Sequence, residues 1–246
     1  MSNKEHIKIM LGIKNLKKSF GDNHVLKGFN MTLYEGENLV IMGKSGSGKS
    51  VMIKCLMGLE QPDEGELEIM GNNVLDFEHQ ELDVLRKEIG FLFQGSALYD
   101  SMSVRDNLEF PLRKQHIAQA EKDEMVMQAL ESVGLTEAVE LMPDELSGGM
   151  KRRIALARAI ILNPKIIIYD EPTTGLDPIT AKEIIQLMRD IQKKYGSSAL
   201  IITHDVDCSR VIADRMILLI DGINYAEGTF IELSNSKDKN VQAFFK

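Results

Sequence analysis

The stretch GKSGSGKS, residues 43–50, leaves a chain few ways to fold. It matches GxxxxGK[S/T], follows the apolar run NLVIM and opens a helical pattern over about Lys49 to Gly58, the strand–loop–helix setting in which that spacing makes a phosphate-binding loop. Gly43, Gly46 and Gly48 free the backbone of the loop, including Lys44, Ser45 and Ser47, to curl its N–H groups around an anion. The helix N-terminus adds about half a positive charge. Lys49 can then reach terminal phosphates, and Ser50 can offer its hydroxyl to Mg2+. Lys44 either adds charge near phosphate or stays a solvated side chain.

Such a loop needs a buried sheet behind it, and the chain supplies the strands. IKIMLGIKNLKKSF (7–20) and VLKGFNMTLY (25–34) read as strands before NLVIM, and ELEIM, GNN and VLDF (66–77) read as a second antiparallel set after the turn QPDEG. HQELDVLRKE is helical and IGFLFQ returns as a buried strand. From Gly95 to Asn163 the apolar spacing turns helical, with Val126, Leu130 and Val133 at i, i+4 and i+7. That places an inserted helical lobe over residues 95–163, between core segments 1–94 and 164–246, within one domain. KIIIYD, a helix from about Ile179 to Lys194, SALIITHD, a short helix and the Asp-Gly hairpin of RMILLIDGINYAEG complete the pattern. Apolar strands alternating with helices predict an α/β fold on a parallel sheet covered on both faces.

Composition narrows the partners. With 29 Lys and Arg against 37 Asp and Glu, the net charge of -8 argues against a broad nucleic-acid footprint. The start, MSNKEHIKIM, has no apolar core behind a basic segment, and no run approaches the roughly 18 apolar residues of a membrane span, so a cytosolic or peripheral chain is expected. Cys55 and Cys208, far apart in apolar patterns, read as buried thiols in a reducing compartment. The 14 methionines read as gap-filling core rather than an adaptable surface.

Further residues carry chemistry. KIIIYDE (165–171) is an apolar strand ending in two carboxylates, where an open α/β sheet places its ligand crevice. Asp170 suits Mg2+. Glu171 either orients and deprotonates the water that attacks the terminal phosphorus or caps the loop before Pro172. His204, ending SALIITH, can donate to a phosphate oxygen, although a lone His there is usually structural. Gln94, after IGFLF, can touch Mg2+ or the attacking water and report phosphate occupancy to the lobe. Phe20 either stacks on an adenine or is a core side chain. Ser147, Gly148 and Gly149 precede the basic helix MKRRIALARAI and make a second helix N-terminus with N–H donors for a terminal phosphate. Asp177, before Pro178, also fits a helix cap.

Taken in order, the phosphate loop, Gln94, LSGG (146–149), IIIYDE, GLD (175–177) and His204 resemble the ATP-binding cassette (ABC) ATPases over essentially the whole chain. The resemblance implies ATP and Mg2+ as cofactors, a RecA-like P-loop NTPase core, an N-terminal antiparallel β subdomain and an inserted α-helical subdomain. It also implies a head-to-tail homodimer, in which Ser147, Gly148 and Gly149 of one copy close over the ATP of the other and Asp177 lies at the junction. The expected partner is an integral membrane permease, met through a surface on which SALYDSMSVRDNLEF (96–110) is a candidate strip; that segment otherwise packs only within the lobe. FQGSALYDSMSVRDNL, LMPDELSGGMKRRIALARAI and EPTTGLDPIT are similar to the Mla-type lipid-transport ATPases, with Met150 where most cassettes place Gln. That likeness implies a lipid-binding partner, phospholipid as cargo between inner and outer membranes, and a place on the cytoplasmic face of the inner membrane. The chain stops at Lys246, shortly after VQAFF, which puts in doubt the C-terminal clasp of some Mla-type ATPases. An amino-acid importer is the alternative. A soluble cassette for cluster assembly or repair is a third reading, against which stands the absence of a coiled-coil insertion or tandem cassette.

Overall fold

A computed structural model describes residues 8–245. In chain order its elements are strands β1 (Ile9–Phe20), β2 (Asn23–Tyr34) and β3 (Asn38–Met42), helix α1 (Lys49–Leu56), β4 (Glu64–Ile69), β5 (Asn72–Asn73), α2 (His79–Arg86) and β6 (Ile89–Leu92). There follow α3 (Val104–Glu109), α4 (Gln119–Val133), α5 (Gly148–Ile160), β7 (Ile166–Asp170), α6 (Pro178–Tyr195), β8 (Ser198–Thr203), α7 (Val206–Ile212), β9 (Arg215–Ile220), β10 (Ile223–Gly228), α8 (Phe230–Ser234) and α9 (Lys239–Gln242). Contacts divide them into two compact units: the residues up to Arg86 with those from Ser197 onward, and Lys87–Gly196.

In the first unit β2, β1, β4 and β5 form an antiparallel sheet. Its register pairs Leu11 with both Leu33 and Ile69, and Ile13 with both Met31 and Leu67. All six are buried, because residues two apart on a strand, such as Leu11 and Ile13, share a face. The expected strand VLDF is a correction: Val74–Asp76 is a 3-10 turn, since the Asn73 side chain accepts from the Leu75 amide and offers the backbone a local alternative to the ladder. Elsewhere in this unit β3 runs parallel between β8 and β9, and β9 pairs antiparallel with β10. Every residue of β3 is buried, as a central parallel strand requires. Asp221 and Gly222 both take positive φ, 49° and 83°, the backbone a two-residue hairpin needs. Cys55 and Cys208 are buried thiols, and burial pushes the Cys55 pKa up to about 11.

In the second unit β6 and β7 pair in parallel, Ile89 with Ile166 through Leu92 with Tyr169. Helix α4 buries Val126, Ala129, Leu130 and Val133, and α5 buries Ile154, Ala155, Leu156, Ala157 and Ile160. Gly134, left-handed at φ 68°, ends α4. Asn107 is fully buried. Its amide donates to the carbonyls of Tyr99, Met102 and Ser103 at 3.0–3.1 Å and accepts from the Tyr99 amide at 2.8 Å, fixing the loop before α3. A capping box of Ser103 and Asp106 starts that helix.

Gly90 lies where β6 passes close to α5. A Cβ there would lie 2.3 Å from the Ala159 carbonyl oxygen and 3.0 Å from Pro164 Cγ. Gly90→Ala should therefore cost about 1–3 kcal/mol, read as a lower urea midpoint at unchanged slope; an unshifted midpoint would contradict the packing described. Among the described residues no helix is long and apolar enough to cross a membrane.

Candidate nucleotide site

The first unit carries the phosphate loop. Strand β3 ends at Met42, and Gly43 must be glycine: a Cβ there would meet Ser47 Oγ at 2.4 Å and the Leu219 carbonyl oxygen at 2.9 Å. Gly48, at φ 107°, is the N-cap of α1. The loop closes on itself where the Ser47 amide donates to the Lys44 carbonyl at 3.1 Å. Lys49 Nζ donates to the carbonyls of Gly43 (2.6 Å) and Lys44 (3.0 Å), so its ammonium lies along the loop's own backbone. A terminal phosphate, a stronger acceptor for a charged donor, would draw it outward. Lys44, Ser45, Gly46 and Ser50 are exposed.

Beside this loop lies a cavity of about 540 Å3, lined by Lys44 to Ser47, by His24 and Val25 of β2, and by Asn240 and Phe244 near the C-terminus. That size falls in the range of small-molecule sites. No motif in the sequence points the C-terminal residues toward the loop.

Phe20 ends β1 as a residue 48% exposed, with Lys18 Nζ 5.2 Å from its ring centroid. The core alternative is thereby removed. His204 follows β8 and is exposed. The next residue, Asp205, caps α7 by accepting from the amides of Asp207 and Cys208 at 2.9 and 3.0 Å.

The second unit carries the other expected residues. Asp170 ends β7. Glu171 is buried, 8% exposed, and held at φ 50°, a left-handed backbone that a non-glycine adopts at a cost of about 1–3 kcal/mol. The Thr174 hydroxyl donates to Glu171 Oε2 at 3.1 Å, and the Thr174 amide approaches the Glu171 carbonyl at 3.3 Å. Glu171 thus shapes its loop as well as presenting a carboxylate.

Gln94 follows β6 and is exposed. Ser147 is the N-cap of α5, its Oγ accepting from the Met150 amide at 3.2 Å. The expectation of unengaged N–H donors there is corrected to that extent: the serine serves one of them itself. Gly149 packs close to the Thr180 side chain, where a Cβ would lie 2.8 Å from Cγ2, so a larger residue there requires Thr180 to shift. Asp177 is the N-cap of α6, accepting from the amides of Ile179 (3.0 Å) and Thr180 (3.1 Å) and from the Thr180 hydroxyl (2.5 Å). The Thr180 hydroxyl and amide hold the Asp177 carboxyl below the usual carboxylate range.

Among the described residues no group of three or more His, Cys, Asp or Glu could hold a metal ion. Ser50, Gln94 and Asp170 are each a single oxygen-bearing side chain outside any such group. Such a sparse set of oxygen donors suits Mg2+, which binds through one or two protein groups together with substrate phosphates and water.

The residues from 26 to 174 match the family model of the ABC transporters. The chain belongs to that family. It is an ATP-binding cassette ATPase with the corresponding P-loop fold, 34% identical to the cassette MJ0796 in its dimeric post-hydrolysis state bound to ADP and Pi, with TM-score 0.80 over 90% of this chain and 99% of that one. Relatives include the methionine import ATP-binding protein MetN of Rhizobium etli, 41% identical over 87% of this chain and 59% of MetN. Another is the intermembrane phospholipid transport system ATP-binding protein MlaF of Haemophilus influenzae, 38% identical over 96% of this chain and 90% of MlaF. The cassette spans about three-fifths of the length of the MetN proteins it matches.

Proposed function

We propose that this cassette hydrolyses ATP as a pair of copies closed head to tail and thereby powers a separate integral permease that moves phospholipid. Lys49 and the amides of residues 43–50 hold the β- and γ-phosphates, His204 donates to a γ-phosphate oxygen, and Phe20 stacks on the base. Glu171 takes a proton from the attacking water, which Gln94 helps to orient. Ser50, Asp170 and Gln94 would hold Mg2+, whose charge offsets that developing on the phosphates. Ser147, Gly148 and Gly149 of the partner copy face the same ATP, so binding closes the pair and hydrolysis opens it. The helical segment 95–163 carries the signature turn and meets the permease, with the cassette on the cytoplasmic face of the inner membrane.

What supports the lipid reading is the set of Mla-like stretches FQGSALYDSMSVRDNL, LMPDELSGGMKRRIALARAI and EPTTGLDPIT, with Met150 after the signature turn; coverage does not choose between cargoes, since MlaF is matched along 90% of its length and the glutamine transport ATP-binding protein GlnQ of Geobacillus stearothermophilus along 97%. The higher identity to MetN favours the second reading, the energising subunit of an amino-acid importer. Pulling the tagged chain from detergent-solubilised membranes and identifying the bound proteins and small molecules separates the two. A permease accompanied by a lipid-binding protein and phospholipid is the expected result. Capture of an amino-acid permease would move the assignment to an importer, and a hydrophilic scaffold as sole partner would end the transport reading.

A further inference from the structure

Arg152 is 3% exposed in the second unit, and its burial lowers its pKa. Buried arginines are ordinarily paired with carboxylates; this one is held by main-chain carbonyls. Its Nη1 donates to the Phe93 carbonyl at 3.1 Å and its Nη2 to the Thr174 carbonyl at 3.2 Å, while Nε is buried without a partner. Both carbonyls belong to residues beside the chemistry. Phe93 immediately precedes Gln94, and Thr174 is the residue whose hydroxyl fixes Glu171 Oε2.

Arg152 also lies in the second turn of α5, whose N-cap is Ser147. Gly149 at the same end of the helix is pressed against Thr180, and Thr180 is bonded to Asp177. The signature turn, the Gln94 turn and the Glu171 loop of one chain are therefore joined through a single rigid guanidinium fork, whose planar geometry fixes both bonds together.

We propose that Arg152 is a positioning residue that couples the signature turn, which serves the partner copy's ATP, to Gln94 and Glu171, which serve the ATP of its own chain. The inference rests on the functional reading above and adds a route by which occupancy of one site sets the geometry of the other. A shift of either carbonyl displaces Gln94 or Glu171, and a displacement of about 1 Å at a reacting centre can cost about 10²-fold in rate. Binding through the phosphate loop does not depend on that fork.

The test measures ATP turnover and the affinity for a non-hydrolysable ATP analogue in full-length wild type, Arg152→Lys and Arg152→Met, with thermal melting as a check on folding. Arg152→Met should lose about ten-fold or more in kcat, with analogue affinity within about two-fold of wild type. Arg152→Lys, which keeps the charge but not the fork, should fall between them. It should also lower the Hill coefficient for ATP relative to wild type, a change that simple loosening of the fold would not produce. If the Met variant does not fold, the Lys variant decides. Unchanged kcat in a folded variant, or equal losses in kcat and affinity, would overturn the proposal. A wild-type protein that neither binds the analogue nor releases phosphate would instead overturn the functional reading beneath it.

Discussion

Glu171→Gln should lower kcat by about 10²–10⁴ while leaving ATP binding intact, because an amide fills the same space but cannot accept the proton of the attacking water. The substitution is close to isosteric, and the Thr174 hydroxyl can still donate to the side-chain oxygen as it does to Oε2 now, so the left-handed turn at φ 50° should survive. The expected consequence is accumulation of an ATP-bound pair of copies. Size-exclusion chromatography with and without ATP, beside phosphate release, measures both effects. Turnover at the wild-type rate would remove Glu171 from the chemistry and leave it as a loop-shaping residue. The strain recorded at this position fits a site that holds one geometry against its backbone preference.

Much of this arrangement was legible in the sequence because strong local rules agreed with the fold. NLVIM followed by GKSGSGKS could be placed as strand, loop and helix from apolar run length and glycine spacing alone, and β3 and α1 begin where those rules put them. Val126, Leu130 and Val133, at helical spacing, are all buried on α4. Asp177 could be read as a cap because an Asp before Pro at a helix start has few other local uses, and it is one.

What escaped the reading depends on contacts distant in sequence. Arg152 sits in the basic run KRR, where nothing local marks one arginine as buried, and only the fold turns it inward onto Phe93 and Thr174. Val74–Asp76 carries strand-forming residues, yet the cap from Asn73 decides its conformation. The contribution of Asn240 and Phe244 to the cavity beside the phosphate loop joins positions about two hundred residues apart, with no motif to announce it. The Thr174 bond to Glu171 had a faint signal in EPTT, where a hydroxyl three residues on can reach back across a turn.

In the proposed pair, each ATP is gripped by the phosphate loop and Glu171 of one copy and by the Ser147 turn of the other. Mixing two inactive variants separates that pair from copies that work alone: Ser147→Arg, whose bulk blocks the signature turn, and Glu171→Gln, which cannot activate water. Each alone has both of its sites broken. In a mixed pair, however, the Ser147→Arg copy supplies an intact Glu171 to the same ATP that the Glu171→Gln copy covers with an intact Ser147, so one site is whole. Equal mixing should restore turnover to about a quarter of wild type, since about half of the pairs are mixed and each has one working site of two. Turnover no higher than the sum of the two variants measured separately would contradict the account.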